Sequence, residues 1–399
     1  MIHEDNLNPH TKKVNLKFAL YLLIASMPIE LIGSYAFLTI PKILGLATLF
    51  LFMASLLSKK IYLDLASKYF IAFFAYCILS VFWSVSPLTS LTKSFTVIQI
   101  VAFYIIIINE IDSKKSLSTV MVISTFGGAL LGISGLMELN QMGFSSYRMA
   151  GFAKNANIYF IMAIFLIPPI YWTIAYSKNM LLKLFSLSVM AVLLYTSIFT
   201  QSIGGFISLG VFFIFYLFFS QKRIQVLLSM AIVGGLTYYL TPAAFWERVQ
   251  EVGQGSTDRF SVLWPAGWQA FLSNIFIGHG IGSSDLILPN YINYRTLEQL
   301  SVHNALLALG IDLGLIGVIL YLVVITIPTI QVYKFCCLKK DGVRTDLENF
   351  GVVLFCALLA YLASWFKSGG FEYFKYLWVF VGLEACVVNM IKRERNAAT

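Results

Sequence analysis

The chain has 399 residues, of which 59% are hydrophobic and 12% charged, and its mean hydropathy is +0.80. Soluble domains carry about 25% charged residues, so this composition excludes a soluble globular protein. A net charge of +9 is compatible with binding to nucleic acid. Because the basic residues fall in segments between long apolar runs, we expect no nucleic-acid partner.

The apolar runs predict an all-α polytopic membrane protein. Their length of about 15–22 residues matches helices that cross a hydrocarbon core about 30 Å thick, and they lack the alternation of a membrane β-barrel. About 12 membrane-spanning helices are therefore predicted. They are Phe18–Ile32, Ile43–Leu57, Tyr69–Val85, Phe95–Asn109, Leu117–Met137, Asn157–Ala175, Leu184–Thr200, Ile203–Ser220, Gln225–Leu240, Ile311–Tyr333, Gly351–Phe366 and Tyr376–Ile391.

These helices divide the chain into three parts. Residues 1–240 form a predicted N-terminal bundle of about nine helices, residues 241–312 a large helical loop, and residues 313–399 about three helices with a tail. Lys and Arg are roughly twice as frequent on the side of the two termini as on the other side. The positive-inside rule then predicts cytoplasmic termini and an external long loop.

Neither a metal site nor a disulfide framework is expected. The outer loops contain no DxD, HExxH or Asp/His cluster, so we predict no metal and no cofactor. The five Cys residues lie in predicted spans or in the cytoplasmic loop. No disulfide is therefore expected on the outer face.

The long loop contains two amphipathic stretches, residues 241–252 and 259–274, that predict helices lying at the membrane interface. A Gly-rich turn around His279 follows, but such a turn is a weak signal by itself. Residues 297–309 predict a third helix that carries His303 into the tenth span. Imidazole exchanges protons near neutral pH and can act as a general base, although a lone interfacial His is more often only a polar residue.

Two upstream outer segments also contain polar or aromatic residues. Arg148, Lys154, Asn155 and Asn157 share one outer loop with glycines, a combination that can bind phosphate or can simply contact lipid headgroups. Trp83 at the end of the third span is typical of an aromatic residue at the membrane interface.

Four ordered motifs resemble the O-antigen ligase and Wzy-type O-antigen polymerase superfamily. The segment HNALLALGIDLGLIG, which begins at His303, is similar to the family pattern of His-Asn, nine residues, Gly, two residues and Gly. RFSVLWPAGWQAFLSNIFIGHGIGSS, YRMAGFAKNANIYF and SVFWSVSP resemble its other motifs, so that the resemblance covers roughly residues 75–320. The chain departs from the family at Ile203, where many relatives carry an Arg implicated in contacting the donor diphosphate.

The resemblance implies a metal-independent, inverting glycosyltransferase of the GT-C kind in the bacterial inner membrane. Its donor would be an undecaprenyl-diphosphate-linked glycan at the periplasmic face. His303 would be the general base, and Arg259 and Arg148 would be catalytic through the diphosphate. Further substrate contacts are expected from Lys154, Asn155, Arg295, Asn304 and His279.

Three functions remain open at this point. We favour an O-antigen ligase of lipopolysaccharide biosynthesis, whose acceptor is lipid A-core. The alternative is a polymerase of O-antigen or exopolysaccharide, whose acceptor is a second lipid-linked glycan. A polysaccharide or lipid transporter is a remote alternative, because the spans are almost free of the midplane charges that transporters use.

Overall fold

The computed structural model describes residues 9–29, 39–56, 60–142, 148–253, 259–292, 301–338, 342–366 and 374–398. Within these ranges the regular structure is helical and contains no strand, which confirms the all-α prediction. The α-helices are α1 Pro9–Ser26, α2 Ile40–Leu56, α3 Leu65–Leu79, α4 Pro87–Glu110, α5 Lys114–Met142, α6 Ala156–Phe165, α7 Ile167–Tyr176, α8 Met180–Phe199, α9 Ile203–Phe219, α10 Arg223–Leu240, α11 Ala243–Gly253, α12 Trp264–Ser273, α13 Ser284–Ile287, α14 Ala305–Val332, α15 Asp346–Ala363 and α16 Lys375–Ala398.

Eight helices in the described ranges are long and apolar enough to cross a membrane, so the protein is a multi-pass membrane protein. One of them combines α6 and α7, which meet at Leu166 just before Pro168 and Pro169. Three shorter apolar helices, Leu16–Ser26, Ile40–Leu56 and Ile203–Phe219, coincide with further predicted spans. The last predicted span lies within α16 and is mostly buried. The total of 12 stays a prediction.

The centre of the bundle is formed by α14, α15 and α16. Between them and α3, the rings of Phe70 and Trp378 lie 4.2 Å apart, and those of Tyr321 and Trp378 lie 5.5 Å apart. All three side chains are almost fully buried. Lipid removes most of the hydrophobic drive between helices, so van der Waals packing of this kind holds the bundle together. Each aromatic pair contributes about 0.5–1.5 kcal/mol beyond its buried area.

Three ion pairs lie at the end of the bundle that is predicted to be cytoplasmic. They join Lys17 to Asp112, Lys114 to Glu394, and Arg395 to Glu348, at 2.9–3.0 Å. These residues come from α1, the connection between α4 and α5, the starts of α5 and α15, and the end of α16. This arrangement agrees with the prediction that these segments lie on the same side of the membrane. Which side of the membrane they occupy stays a prediction.

The long loop follows its predicted helices in part. The predicted amphipathic helices are present as α11 and as a π-helical turn, Arg259–Leu263, that continues into α12. The predicted helix over residues 297–309 is wrong at its centre, because residues 301–304 are not helical and α14 begins only at Ala305. His303 therefore precedes the helix and does not lie on it.

Candidate functional site

The Gly-rich turn after α12 is held by one buried carboxylate. Asp312 of α14 is 3% exposed, and its two oxygens accept the backbone N–H groups of Gly282 at 2.8 Å and Ser284 at 2.7 Å. Gly280 and Gly282 have φ values of +96° and +80°, a region that other residues rarely adopt. A Cβ atom on Gly280 would also overlap Ser84. The turn therefore needs both its glycines and this carboxylate.

The same turn is fastened to the connection between α3 and α4. The backbone N–H of Val85 donates to the carbonyl of His279 at 3.1 Å, and the hydroxyl of Ser90 donates to the carbonyl of Ile281 at 2.6 Å. The indole N–H of Trp83 donates to the carbonyl of Ile277 at 3.3 Å. The sequence predicted only that Trp83 lies at the membrane interface. In the structure its indole also forms a hydrogen bond within the protein.

A kink in α14 lies beside this turn. Gly314 has φ +63° and ψ −170°, and a Cβ atom there would overlap the carbonyl group of Phe276. The segment that follows α12 forms hydrogen bonds across the kink, from the N–H of Leu315 to the carbonyl of Ile275 at 2.8 Å and from the N–H of His279 to the carbonyl of Ile311 at 2.9 Å. Close packing of the backbone against Phe276 therefore explains why the first glycine of the His303 motif, Gly314, has no side chain.

His303 lies two residues before the start of α14. Its φ is +51°, which is uncommon for a residue with a side chain. Val302 before it is buried, and the side-chain oxygen of Asn304 after it accepts the N–H of Leu307 at 3.1 Å as the N-cap of α14. The half-buried imidazole is therefore attached to backbone that is fixed on both sides.

An apolar groove of about 540 Å³ adjoins Asn304. It lies between α12, α14 and the end of α15. Aromatic side chains form one wall and aliphatic residues of α14 form the other. The lining includes Phe260, Trp264, Trp268, Phe271, Leu307 and Phe366. A hydrocarbon chain fits such a wall, and the groove lies next to the residue that follows His303.

A second polar group surrounds the turn between α8 and α9. The guanidinium of Arg148 donates to the carbonyl of Thr200 and to the side-chain oxygen of Asn157, both at 3.2 Å. The hydroxyl of Ser202 donates to the same Asn157 oxygen at 2.7 Å. Arg248 of α11 donates to the carbonyl of Gln201 at 3.0 Å. Two arginines from separate segments thus converge on the turn that immediately precedes Ile203.

Strained backbone occurs at His303, at the turn between α8 and α9, and in the loop that contains Arg148. In the described part of the chain, the non-glycine residues with positive φ are Lys154, Gln201 and His303. A sparsely populated conformation of this kind costs on the order of 1–3 kcal/mol and is retained where the surrounding structure enforces it. All three lie in connections that are predicted to face outward.

The remaining predicted site residues have simpler surroundings. The side chain of Asn155 caps α6 by accepting the N–H groups of Asn157 and Ile158. The Nε2 atom of His279 lies 3.1 Å from both the Ala270 carbonyl and the Ser273 hydroxyl, so this ring supports the end of α12. Substrate contacts of Asn155 and His279 stay predictions.

Two predicted arginines have side chains outside the described residues. Arg259 begins the π-helical turn, but only its backbone is described, and Arg295 falls wholly outside. Among the side chains that the structure does describe, no cluster of three His, Cys, Asp or Glu is found that would hold a metal ion. The expected absence of a metal or cofactor stays a prediction.

Sequence reasoning missed Asp312, Arg248 and two serines, Ser80 in the α3–α4 connection and Ser90 in the first turn of α4. Asp312 had a usable signal, because an acidic residue within a membrane span is costly and is retained for a specific contact. Beside it, partial burial raises the pKa of Asp285, and the Lys93 ammonium opposes this rise. The serines carried no signal, since they contact a turn about 190–200 residues away in the sequence.

The span from α8 to the α14 kink is the part that comparison with known proteins recognises. Residues 185–322 match the family model described as O-antigen ligase. This confirms the resemblance read from the motifs, over the segment that contains Arg248, the Gly-rich turn, His303 and Asp312. The Arg148 loop lies upstream of the O-antigen ligase match.

One curated relative was also found. The chain is 28% identical over 129 residues to the teichuronic acid biosynthesis protein TuaE of Bacillus subtilis (strain 168). The alignment covers 32% of this chain and 26% of that protein, so the chain spans about a quarter of the length of the relative it matches.

Proposed function

We propose that this protein is a membrane glycosyltransferase of the O-antigen ligase and polymerase type. It moves a glycan from undecaprenyl diphosphate to an acceptor hydroxyl at the periplasmic face of the bacterial inner membrane, with both termini in the cytoplasm. The observation that carries the proposal is the position of His303. It lies within the O-antigen ligase match, in strained backbone, directly before Asn304, which caps α14 and lines the apolar groove.

In the proposed reaction, the His303 imidazole takes the proton of the acceptor hydroxyl. The hydroxyl oxygen forms a bond to C1 of the donor sugar while the bond from C1 to the diphosphate oxygen breaks, with inversion at C1. The diphosphate leaves with the electron pair and remains attached to its lipid. General-base help of this kind contributes about 10²–10⁴-fold to the rate. No metal is required in this scheme.

The negative charge that builds on the leaving diphosphate needs positioned cations. Arg259 and Arg148 have this role, with Lys154, Asn155, Arg295, Asn304 and His279 as further contacts. Support for Arg148 comes from its two hydrogen bonds to Thr200 and Asn157, since these fix a planar guanidinium before substrate arrives. Arg248 reaches the same turn and would supply the charge that Ile203 lacks.

The protein can be a ligase or a polymerase, and the two differ in the acceptor that they use. A ligase, which the motifs favour, transfers to lipid A-core. A polymerase is the second candidate, and two observations favour it: the replacement of the family Arg by Ile203, and a relative named for the biosynthesis of a different polymer, teichuronic acid.

The decisive experiment uses the purified protein in lipid nanodiscs with an undecaprenyl-diphosphate-linked glycan and each acceptor in turn. New glycosidic bonds, detected by mass spectrometry, are expected from the wild type and not from His303→Ala. Movement of the lipid without bond formation would favour the transporter and contradict the proposal.

Glycolipid gels of a deletion strain separate the two forms. Loss of a ligase leaves long lipid-linked polymer that is not joined to core. Loss of a polymerase leaves core that carries a single repeat.

A further inference from the structure

A second apolar groove, of about 380 Å³, opens between α1, α2 and α4 near the start of α16. Its floor is made of Leu23, Ile100 and Phe103, which are at most 6% exposed. Leu46 on α2 and Phe95 on α4 form its rim and are more than half exposed. The groove is therefore open sideways, at the level of the membrane, and is distinct from the groove beside Asn304.

Two lysines lie at one end of this second groove. Lys42 comes from the first turn of α2, and Lys375 is the first residue of α16. Both belong to the ends of helices that are predicted to be periplasmic. Lys42 is exposed and forms no ion pair with a carboxylate of the described residues. Two ammonium groups above an apolar wall complement a molecule with an anionic head and a hydrocarbon chain.

The wall contains one amide as well. Gln99 of α4 lines the groove and is half-buried, and its side chain has no hydrogen-bond partner among the described residues. An amide that faces lipid without a hydrogen-bond partner is costly. A polar group of a bound molecule near the lysines would offset this cost.

We propose that the second groove binds the acceptor as a lipid, namely a single long apolar chain that ends in a phosphate or diphosphate bearing the acceptor glycan. This inference rests on the proposed function and deepens its polymerase form. The donor chain then occupies the groove beside Asn304, and the acceptor chain occupies the groove below Lys42 and Lys375. A transfer between two lipid-linked glycans requires two such sites.

The chain places the two grooves within reach of each other. Phe366 lines the first groove and Lys375 lines the second, so they are nine positions apart in the sequence and their Cα atoms are at most about 32 Å apart. The central helices α14 and α16, which pack against each other, lie in the same bundle. An oligosaccharide on the second lipid would have to bridge about this distance at most to reach the first groove.

The test of binding is photocrosslinking in nanodiscs of phosphatidylcholine, with a photoreactive polyprenyl diphosphate as probe. Labelling is expected on the peptides around residues 41–49 and 95–106. The double variant Lys42→Gln/Lys375→Gln should weaken labelling by about tenfold for each ammonium group that is removed. Lys178→Gln, an exposed lysine at the opposite end of the bundle, is the matched control and should label like the wild type.

Competition identifies the occupant. Unlabelled undecaprenyl diphosphate should displace the probe, whereas phosphatidylglycerol at the same concentration should not. Equal displacement by phosphatidylglycerol overturns the proposal, because the groove then holds an ordinary anionic bilayer lipid. Labelling that does not depend on the two lysines overturns it as well.

Kinetics separate this inference from the proposed function. The double lysine variant should raise the KM for a lipid-linked acceptor more than it lowers kcat. His303→Ala should reduce transfer by about 10²–10⁴-fold and retain groove labelling. If the wild-type protein forms no glycosidic bond while the groove is labelled, only the proposed function fails, and if His303→Ala stays active, only the role of His303 as general base fails. If His303→Ala is inactive and the groove is not labelled, only this inference fails.

Discussion

Asp312 accepts the backbone N–H of Gly282 at 2.8 Å, and it does so from within a helix that is long and apolar enough to span the membrane. The contact joins the His303 motif to the Gly-rich turn, two elements that are separate in the sequence. Asp312 lies nine residues after His303, on the helix that follows it. Its hydrogen bond therefore ties that helix to the Gly-rich turn.

Removing this carboxylate should destabilise the outer face of the protein. Asp312→Ala leaves the buried N–H of Ser284 and the partly buried N–H of Gly282 without an acceptor, and a buried one costs about 1–3 kcal/mol. Asp312→Asn keeps one acceptor oxygen and should be less severe. Thermal unfolding of detergent-solubilised protein, together with the transfer assay, measures both effects. Asp285→Asn, at an exposed position, is the control, and a wild-type melting temperature for Asp312→Ala would contradict the contact.

Gly314→Ala should lower both stability and transfer. The new methyl group overlaps the carbonyl of Phe276, and the backbone at φ +63° disfavours any side chain. Gly235→Ala is the matched control, because a Cβ atom there meets nothing within 4 Å. The control should be neutral, or more stable by up to about 1 kcal/mol, as expected for glycine replacement inside a helix. Equal behaviour of the two variants in thermal unfolding would show that the kink is not required.

His303→Ala should reduce transfer by about 10²–10⁴-fold, which is the usual contribution of a general base. The melting temperature should change little, since the ring is half-buried and the backbone on both sides is held independently of it. Asn304→Ala provides the contrast: it removes an N-cap, costs about 1 kcal/mol of stability, and should leave more activity than His303→Ala. If Asn304→Ala were the less active of the two variants, the cap at Asn304 would matter more for transfer than the His303 imidazole.

Arg148→Lys should lose most of the activity that Arg148→Ala loses. The ammonium group retains the charge but cannot contact Thr200 and Asn157 together in the planar geometry of the guanidinium. Loss of one positioned donor to a developing charge costs about 10²–10³-fold in kcat. Near-normal kcat in Arg148→Lys would indicate that charge alone is sufficient.

The departure at Ile203 gives a rescue experiment. Arg248→Ala should lower kcat if Arg248 supplies the cation that the family places one residue after Ser202. Adding Ile203→Arg to that variant should then restore a large part of the activity. Failure of the rescue, with both proteins folded, would remove Arg248 from the diphosphate site.

Hydropathy and motif spacing determined much of this protein without any tertiary information. A bilayer core forces each backbone N–H and C=O to bond within its own helix, so an apolar run of sufficient length specifies a span such as α5 or α15. The order of the motifs, with His303 followed by Gly314 and Gly317, was sufficient to indicate the family that residues 185–322 match.

The tertiary structure decided which polar residues meet. Asp312 and Gly282 are 30 residues apart, Arg148 and Thr200 are 52 apart, and Ser90 and Ile281 are 191 apart. Local sequence periodicity carries no information on such pairs, because they depend on how helices pack. The sequence around His303 predicted a continuous helix, but residues 301–304 are not helical and the backbone at His303 has φ +51°.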